Sequence, residues 1–308
     1  MPLDYRRFNG PEDSVSYKQF STNFTRSYDE LFKGLFDENG KRIDGREFTE
    51  ARPLYTKTNV ISQAKGSAYV ELKNTKVVCS VFDPREIVGH QNEYSIYGQI
   101  YCEVKFAPFS CPRRRRGLAP DTDERALSAN FKTAIQTAIQ STKFRNFQMD
   151  VFVYILEHDG ACLAAAINAA CLALTDAVVP MMDIFSARTA AVINNQIFVD
   201  PTEAEENLAL MPTDNETNHG IITLTVIDHL RNITDLQQIG SIDADCLIKV
   251  IDILLEECAK LMPLFKDLII DNVFEQYKEH QVYLSIKKQV NEELSNKVKE
   301  WTLIVKDK

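Results

Sequence analysis

The alanine-rich run from Ala161 to Ala177 restricts this chain more than any other feature, because it follows within a few residues of a candidate strand, Met149 to Glu157. Alanine keeps a segment helical while adding little width, so such a helix is suited to lie close against a sheet or a second helix. The two segments read as a strand, a turn and a buried helix.

Strand signals precede this unit. Ser67 to Leu72 and Thr75 to Phe82 flank a turn at Lys73-Asn74 and form a hairpin signature, and Gln99 to Phe106 is a further strand. Asp123-Glu124 opens an amphipathic helix with Leu127, Phe131, Ile135 and Ile139 spaced four apart. Beyond Ile184 short strands return at Ala190–Ile193, Gln196–Val199, Leu208–Met211, Gly220–Ile227 and Leu236–Ile239. A helix is expected from Asp243 to Leu261, Pro263 should end or kink it, and another starts near Leu264. Val290, Leu294, Val298 and Trp301 carry helical spacing, for packing on the chain's own domain or on a partner. The class is α+β, a sandwich whose two halves share an element order. Residues 1–40 form an arm with one short helix around Tyr28 to Phe36, 41–279 the main domain and 280–308 a helical extension.

A net charge of -9 and a pI near 5.2 argue against a free-standing nucleic-acid binder, so any RNA contact must be local. The seven cysteines form no C-x-x-C pair and mostly sit in apolar runs, which reads as reduced thiols in a nuclear or cytosolic protein, not as disulfides or a zinc site. The N-terminus lacks the apolar core of a signal peptide, and no stretch approaches membrane-spanning length. No cofactor, metal or membrane is expected.

Lys41-Arg42-Ile43-Asp44-Gly45-Arg46 followed by Glu50-Ala51-Arg52-Pro53 resembles the opening motif of the RNase PH superfamily. So do Gln63 to Glu71 with Asn74-Thr75-Lys76-Val77, and Asp159-Gly160, Ala164 to Ala177 and Pro180-Met181-Met182-Asp183 as the central helix and its exit. The likeness spans about Lys41 to Phe274. Gln63 to Tyr69 and the loop at 107–116 most resemble exosome ring subunits of the mRNA transport regulator type. That resemblance implies an RNase PH-like fold of two βαβα-type halves, like domain 2 of ribosomal protein S5. It also implies a hexameric ring with other RNase PH-like exosome subunits and RNA-binding cap subunits, threading RNA in the nucleus, nucleolus and cytoplasm for rRNA maturation and mRNA decay.

Active relatives use phosphate to attack the last phosphodiester of an RNA 3′ end, which needs a fixed cation and backbone donors at a helix N-terminus, with carboxylates for a proton or a metal ion. Their turn reads Asp-x-Gly-Thr-Arg; Asp159, Gly160, Ala161, Cys162 and Leu163 stand at those positions. Leu163 therefore replaces the bidentate anchor, and Cys162 is a poorer hydrogen-bonder than threonine. Val199-Asp200-Pro201 matches the motif before the catalytic acids, Glu206 falls at the first acidic position, and the segment bearing the second is missing. The resemblance thus implies a ring subunit without catalytic residues. The alternative, an active phosphate-dependent 3′-to-5′ exoribonuclease, requires another arginine to replace the one absent at Leu163, or a site shared with an intact partner.

Cys162 beside His158 suggests a thiol nucleophile, but the apolar setting favours a buried, inert thiol. Glu203, Glu205 and Glu206 could bind Mg2+, yet read better as a solvated loop. Arg113, Arg114, Arg115 and Arg116 form the densest charge cluster, and with Lys105 and Arg125 they give six basic residues against Asp121, Asp123 and Glu124. Such a loop is a solvated segment, an import signal, or, by the resemblance, a pore-facing grip on RNA phosphates.

Overall fold

The computed structural model describes residues 28–36, 41–86, 95–111, 121–211, 218–227 and 232–306. Arg113 to Arg116 therefore lie outside the described residues.

The first half is a mixed sheet. Strands β1 (Leu54–Thr58), β2 (Gly66–Leu72), β3 (Thr75–Val81), β4 (Arg85–Glu86), β5 (Gln99–Phe106) and β6 (Phe147–Glu157) combine in the order β1-β2-β3-β6, with β4 antiparallel and β5 parallel to β6. Helices α2 (Thr122–Gln136) and α3 (Cys162–Asp176) cover one face; α1 (Tyr28–Lys33) precedes them in the chain. The alanines of α3 serve close approach as expected: a Cβ on Gly66 would overlap the Ala173 carbonyl, so β2 and α3 touch backbone to backbone. Almost every α3 residue is buried.

The second half is an antiparallel sheet, β8 (Gln196–Val199), β7 (Phe185–Ile193), β9 (His219–Ile227) and β10 (Asn232–Ser241), in the order β10-β9-β7-β8. Alternate β7 residues separate its two faces: Ala190 and Val192 pack with Val250, Leu254 and Cys258 of α5 (Ala244–Lys306). Ala191 and Ile193 pack with Leu35 and with Leu208 of α4 (Glu203–Ala209). Phe185 and Ala187 join the α3 core. Helix α3 thus lies between the two sheets.

Three expectations change. Leu208–Met211 is not a strand; Leu208 and Ala209 end α4, whose start is set by a Thr202/Glu205 capping box, and they bury against the second sheet. Pro263 does not break α5, which is one helix of 63 residues. Proline costs about 3 kcal/mol inside a helix, but Leu261, Met262 and Phe265 beside it are buried, each worth about 1.5–3 kcal/mol. The described part of the terminal stripe does not pack on the domain: Val290 and Leu294 are exposed.

Candidate functional site

The strand-to-helix turn of each half meets the other. In the first, His158 to Ala161 links β6 to α3; in the second, Asp200 to Thr202 links β8 to α4. A Cβ on Gly160 (φ 78°) would run into Pro201 to Glu203, so the turns sit in direct contact. Each helix start takes an acid from the opposite turn. The Ala161 N–H donates to Glu206 Oε1 at 2.6 Å, and the Glu203 N–H points to Asp159 Oδ1 at 3.5 Å.

Arg52, fully enclosed, joins the turns from below. Its Nη2 donates to Asp200 Oδ1 at 2.7 Å and its Nε to Oδ2 at 3.0 Å, while Nη1 reaches the Asp159 carbonyl at 2.7 Å and Thr75 Oγ1 at 3.1 Å. Arg188 adds a second guanidinium 3.9 Å from Asp200. Burial works to raise the Asp200 pKa, but the Arg52 bonds outweigh it and hold the carboxyl below its ordinary value. Arg42 donates to the Val199 carbonyl at 2.8 Å and pairs with Glu205, and Arg46 donates to the Asp200 carbonyl. Three arginines of the opening motif therefore clamp the β8–α4 turn.

Glu206 differs. Burial pushes its carboxyl up to about 7, against the Ala161 N–H and the more distant pull of Arg52. Protonated or not, its oxygen fills the backbone donor at the start of α3. Ala161 is left-handed at φ 51°, a conformation natural for glycine and strained for alanine. Two residues on, Leu163 is half-buried and packs against the main core, supplying no side-chain donor. The start of α3 therefore presents a carboxyl oxygen on the Ala161 N–H and an aliphatic side chain at Leu163.

The expectation of a solvated loop at Glu203, Glu205 and Glu206 is overturned. These residues form the first turn of α4, favourable for acids at a helix start; Glu205 is buried on Arg42, and Glu206, half-buried, is held on the Ala161 N–H. They do not converge, and among the described residues no group of three His, Cys, Asp or Glu could hold a metal ion. Cys162 Sγ lies 2.7 Å from His158 Nδ1, but burial raises the thiol pKa well above its ordinary value and keeps it protonated. All seven cysteines are free thiols.

A family model for the 3′ exoribonuclease (RNase PH) family, domain 1, matches residues 50–180. "Exosome complex component Rrp41" of Pyrococcus horikoshii is 35% identical over 201 residues, covering 63% of this chain and 78% of that protein. "Exosome complex component MTR3" of Mus musculus is 31% identical over 237 residues, covering 70% and 81%. The chain belongs to the RNase PH family. A solved Archaeoglobus fulgidus exosome with RNA bound to the active site matches this RNase PH-family chain with a TM-score of 0.64 at 25% identity, over 77% of this chain and 97% of that one.

Within this RNase PH fold, Ala161, Cys162 and Glu206 come together at the joined turns, with Leu163 on the core side. Lys105 is half-exposed on β5 and pairs with Glu103 at 2.8 Å; Arg125 is exposed on α2. The loop between them is anchored at the site. The Ser110 carbonyl accepts from the His158 N–H at 3.1 Å, and the buried Glu124 carboxylate accepts from the N–H groups of both Phe106 and Asp121, tying the loop's two ends together. Sequence patterns place Arg52 in a motif without giving it a role; an arginine-proline pair just before a first strand was the available signal.

Proposed function

We propose that this chain is a non-catalytic subunit of an exosome ring that contacts RNA and supports its 3′-to-5′ processing and degradation in the nucleus, nucleolus and cytoplasm. Its neighbours would be other RNase PH-like chains, with RNA-binding cap subunits beside them. One observation carries the reading: the Glu206 carboxyl occupies the Ala161 N–H at the start of α3, with Leu163 two residues on. Arg52, which spans both turns, cannot substitute as the phosphate anchor, because its donors are committed to Asp200, Asp159 and Thr75. The exosome assignment is supported by the names of the relatives, both exosome complex components.

RNA contact is assigned to Arg113, Arg114, Arg115 and Arg116, with Lys105 and Arg125 flanking. Support comes from the anchoring of that loop's base against the His158 turn and from Phe109, 72% exposed near its start, a ring on which a base can stack. The test is RNA binding by the assembled complex after all four arginines become alanine. Affinity should fall with little dependence on sequence, and the logarithmic salt slope should become shallower by about 0.7 for each phosphate that is no longer gripped. Normal assembly with unchanged affinity and slope would overturn the RNA assignment. Release of nucleoside diphosphates from RNA and phosphate by the homogeneous chain would overturn the non-catalytic one.

A further inference from the structure

The first sheet ends on an open strand. β1 pairs with β2 in antiparallel register, Thr58 opposite Ala68 and Leu54 opposite Leu72. The Asn59 N–H donates to the Ser67 carbonyl at 2.8 Å, which sets the alternation: Tyr55 and Lys57 turn their backbone groups toward β2, and Thr56 and Thr58 turn theirs outward. Among the described residues no strand pairs with this edge and nothing bonds these outward groups.

Beside the edge runs α5, and between them lies a groove of about 300 Å³ lined by Thr56 to Asn59 and by residues 268–279. Its wall is held in place: Asn272 Nδ2 donates to Asp176 Oδ1 at 3.2 Å, and the other oxygen of Asp176 accepts from the Ser67 N–H of β2 at 3.0 Å. Asp271, Glu275 and Glu279 line the helix side as one exposed acidic row, against a single cation, Lys57, in the lining.

We propose that this groove binds a basic, extended peptide segment of a partner protein, which adds to β1 as a further strand. The outward N–H and C=O groups of Thr56 and Thr58 recognise its backbone, and the acidic row recognises lysine or arginine at alternate positions. The spacing suits that pattern. Residues four apart on a helix are about 6 Å apart along its axis, and alternate residues of a strand are about 6.8 Å apart. The acidic wall repels a phosphodiester chain, so the ligand is a peptide and not RNA.

The probe is a fluorescent eight-residue peptide in which Lys alternates with Thr and Val, titrated into the full chain. A peptide of the same composition with its lysines in one block and an oligouridylate serve as comparisons. The alternating peptide should bind at least tenfold more tightly than either, and should slow hydrogen exchange at the Thr56 and Thr58 amides while leaving Lys57 unchanged. Thr56→Pro removes an outward N–H that the sheet does not use, and edge strands tolerate such a proline. It should weaken binding at least tenfold, as should the exposed pair Asp271→Lys and Glu279→Lys. No binding, or tighter binding of the oligouridylate, would overturn the proposal. Binding without protection of Thr56 and Thr58 would reduce it to adsorption by charge, and the exchange measurement on the unaltered chain stands even if a variant fails to fold.

Discussion

Asp200, buried, and Glu206, half-buried, are desolvated carboxyl groups six residues apart on one turn and helix, yet their pKa values move in opposite directions. Asp200 accepts three bonds from Arg52, two from the guanidinium and one from the backbone, and has Arg188 behind it. Glu206 accepts one bond, from the Ala161 N–H. Desolvation is common to both, so the number of cationic donors within bonding distance decides the charge. Asp200 is a structural anion, and Glu206 is a carboxyl held on a single backbone N–H.

The largest expected effect is on the anion. Asp200→Asn removes the carboxylate that faces both Arg52 and Arg188, leaving Arg52 only the longer pair with Asp159 at 3.8 Å, and should cost about 3–5 kcal/mol in urea denaturation. Because the Asp200 pKa is lowered on folding, its contribution is present above the ordinary carboxylate range and lost as pH falls through the depressed value. An asparagine variant as stable as the parent would erase the contrast.

Glu206→Gln should act in the opposite sense. With a folded pKa of about 7 against an ordinary 4.5, the folded chain holds a proton that the unfolded chain has released, so stability declines as pH rises between those values, by up to about 3 kcal/mol. Glutamine keeps an oxygen for the Ala161 N–H without the charge. The variant should lose that pH dependence and melt a few degrees higher than the parent at pH 8, with little difference at pH 4.5. Equal slopes for both proteins across this window would contradict the assignment.

The smallest effect separates the two left-handed residues. Ala161 and Asp200 both have φ of 51°, but aspartate tolerates that conformation better than alanine. Ala161→Gly should stabilise by about 0.5–1 kcal/mol, while a glycine at 200 should destabilise by removing the partner of Arg52. Thermal denaturation of the two variants, compared at one pH, gives the order.

Much of the fold was legible because its signals are local. The hairpin at Lys73-Asn74, the strand Gln99 to Phe106 and the alanine-rich α3 follow from periodicity and turn residues within short windows. Leu208 to Met211 was misread because a short apolar run suits a helix end as well as a strand; the capping residues Thr202 and Glu205 were the better guide. Leu163 and Glu206 could be singled out by position, but not the contact between Glu206 and Ala161, which lies 45 residues apart in the chain and joins two halves. Arg52 and Asp200 are 148 residues apart, so no local pattern pairs them.

The central proposal is that the start of α3 holds no phosphate, because Glu206 occupies the Ala161 N–H and Leu163 offers no cation. Titration of inorganic phosphate into the purified full chain at pH 8, followed by calorimetry or by 31P resonance shifts, tests it directly. The account predicts no saturable binding at millimolar phosphate; saturable binding there would contradict it.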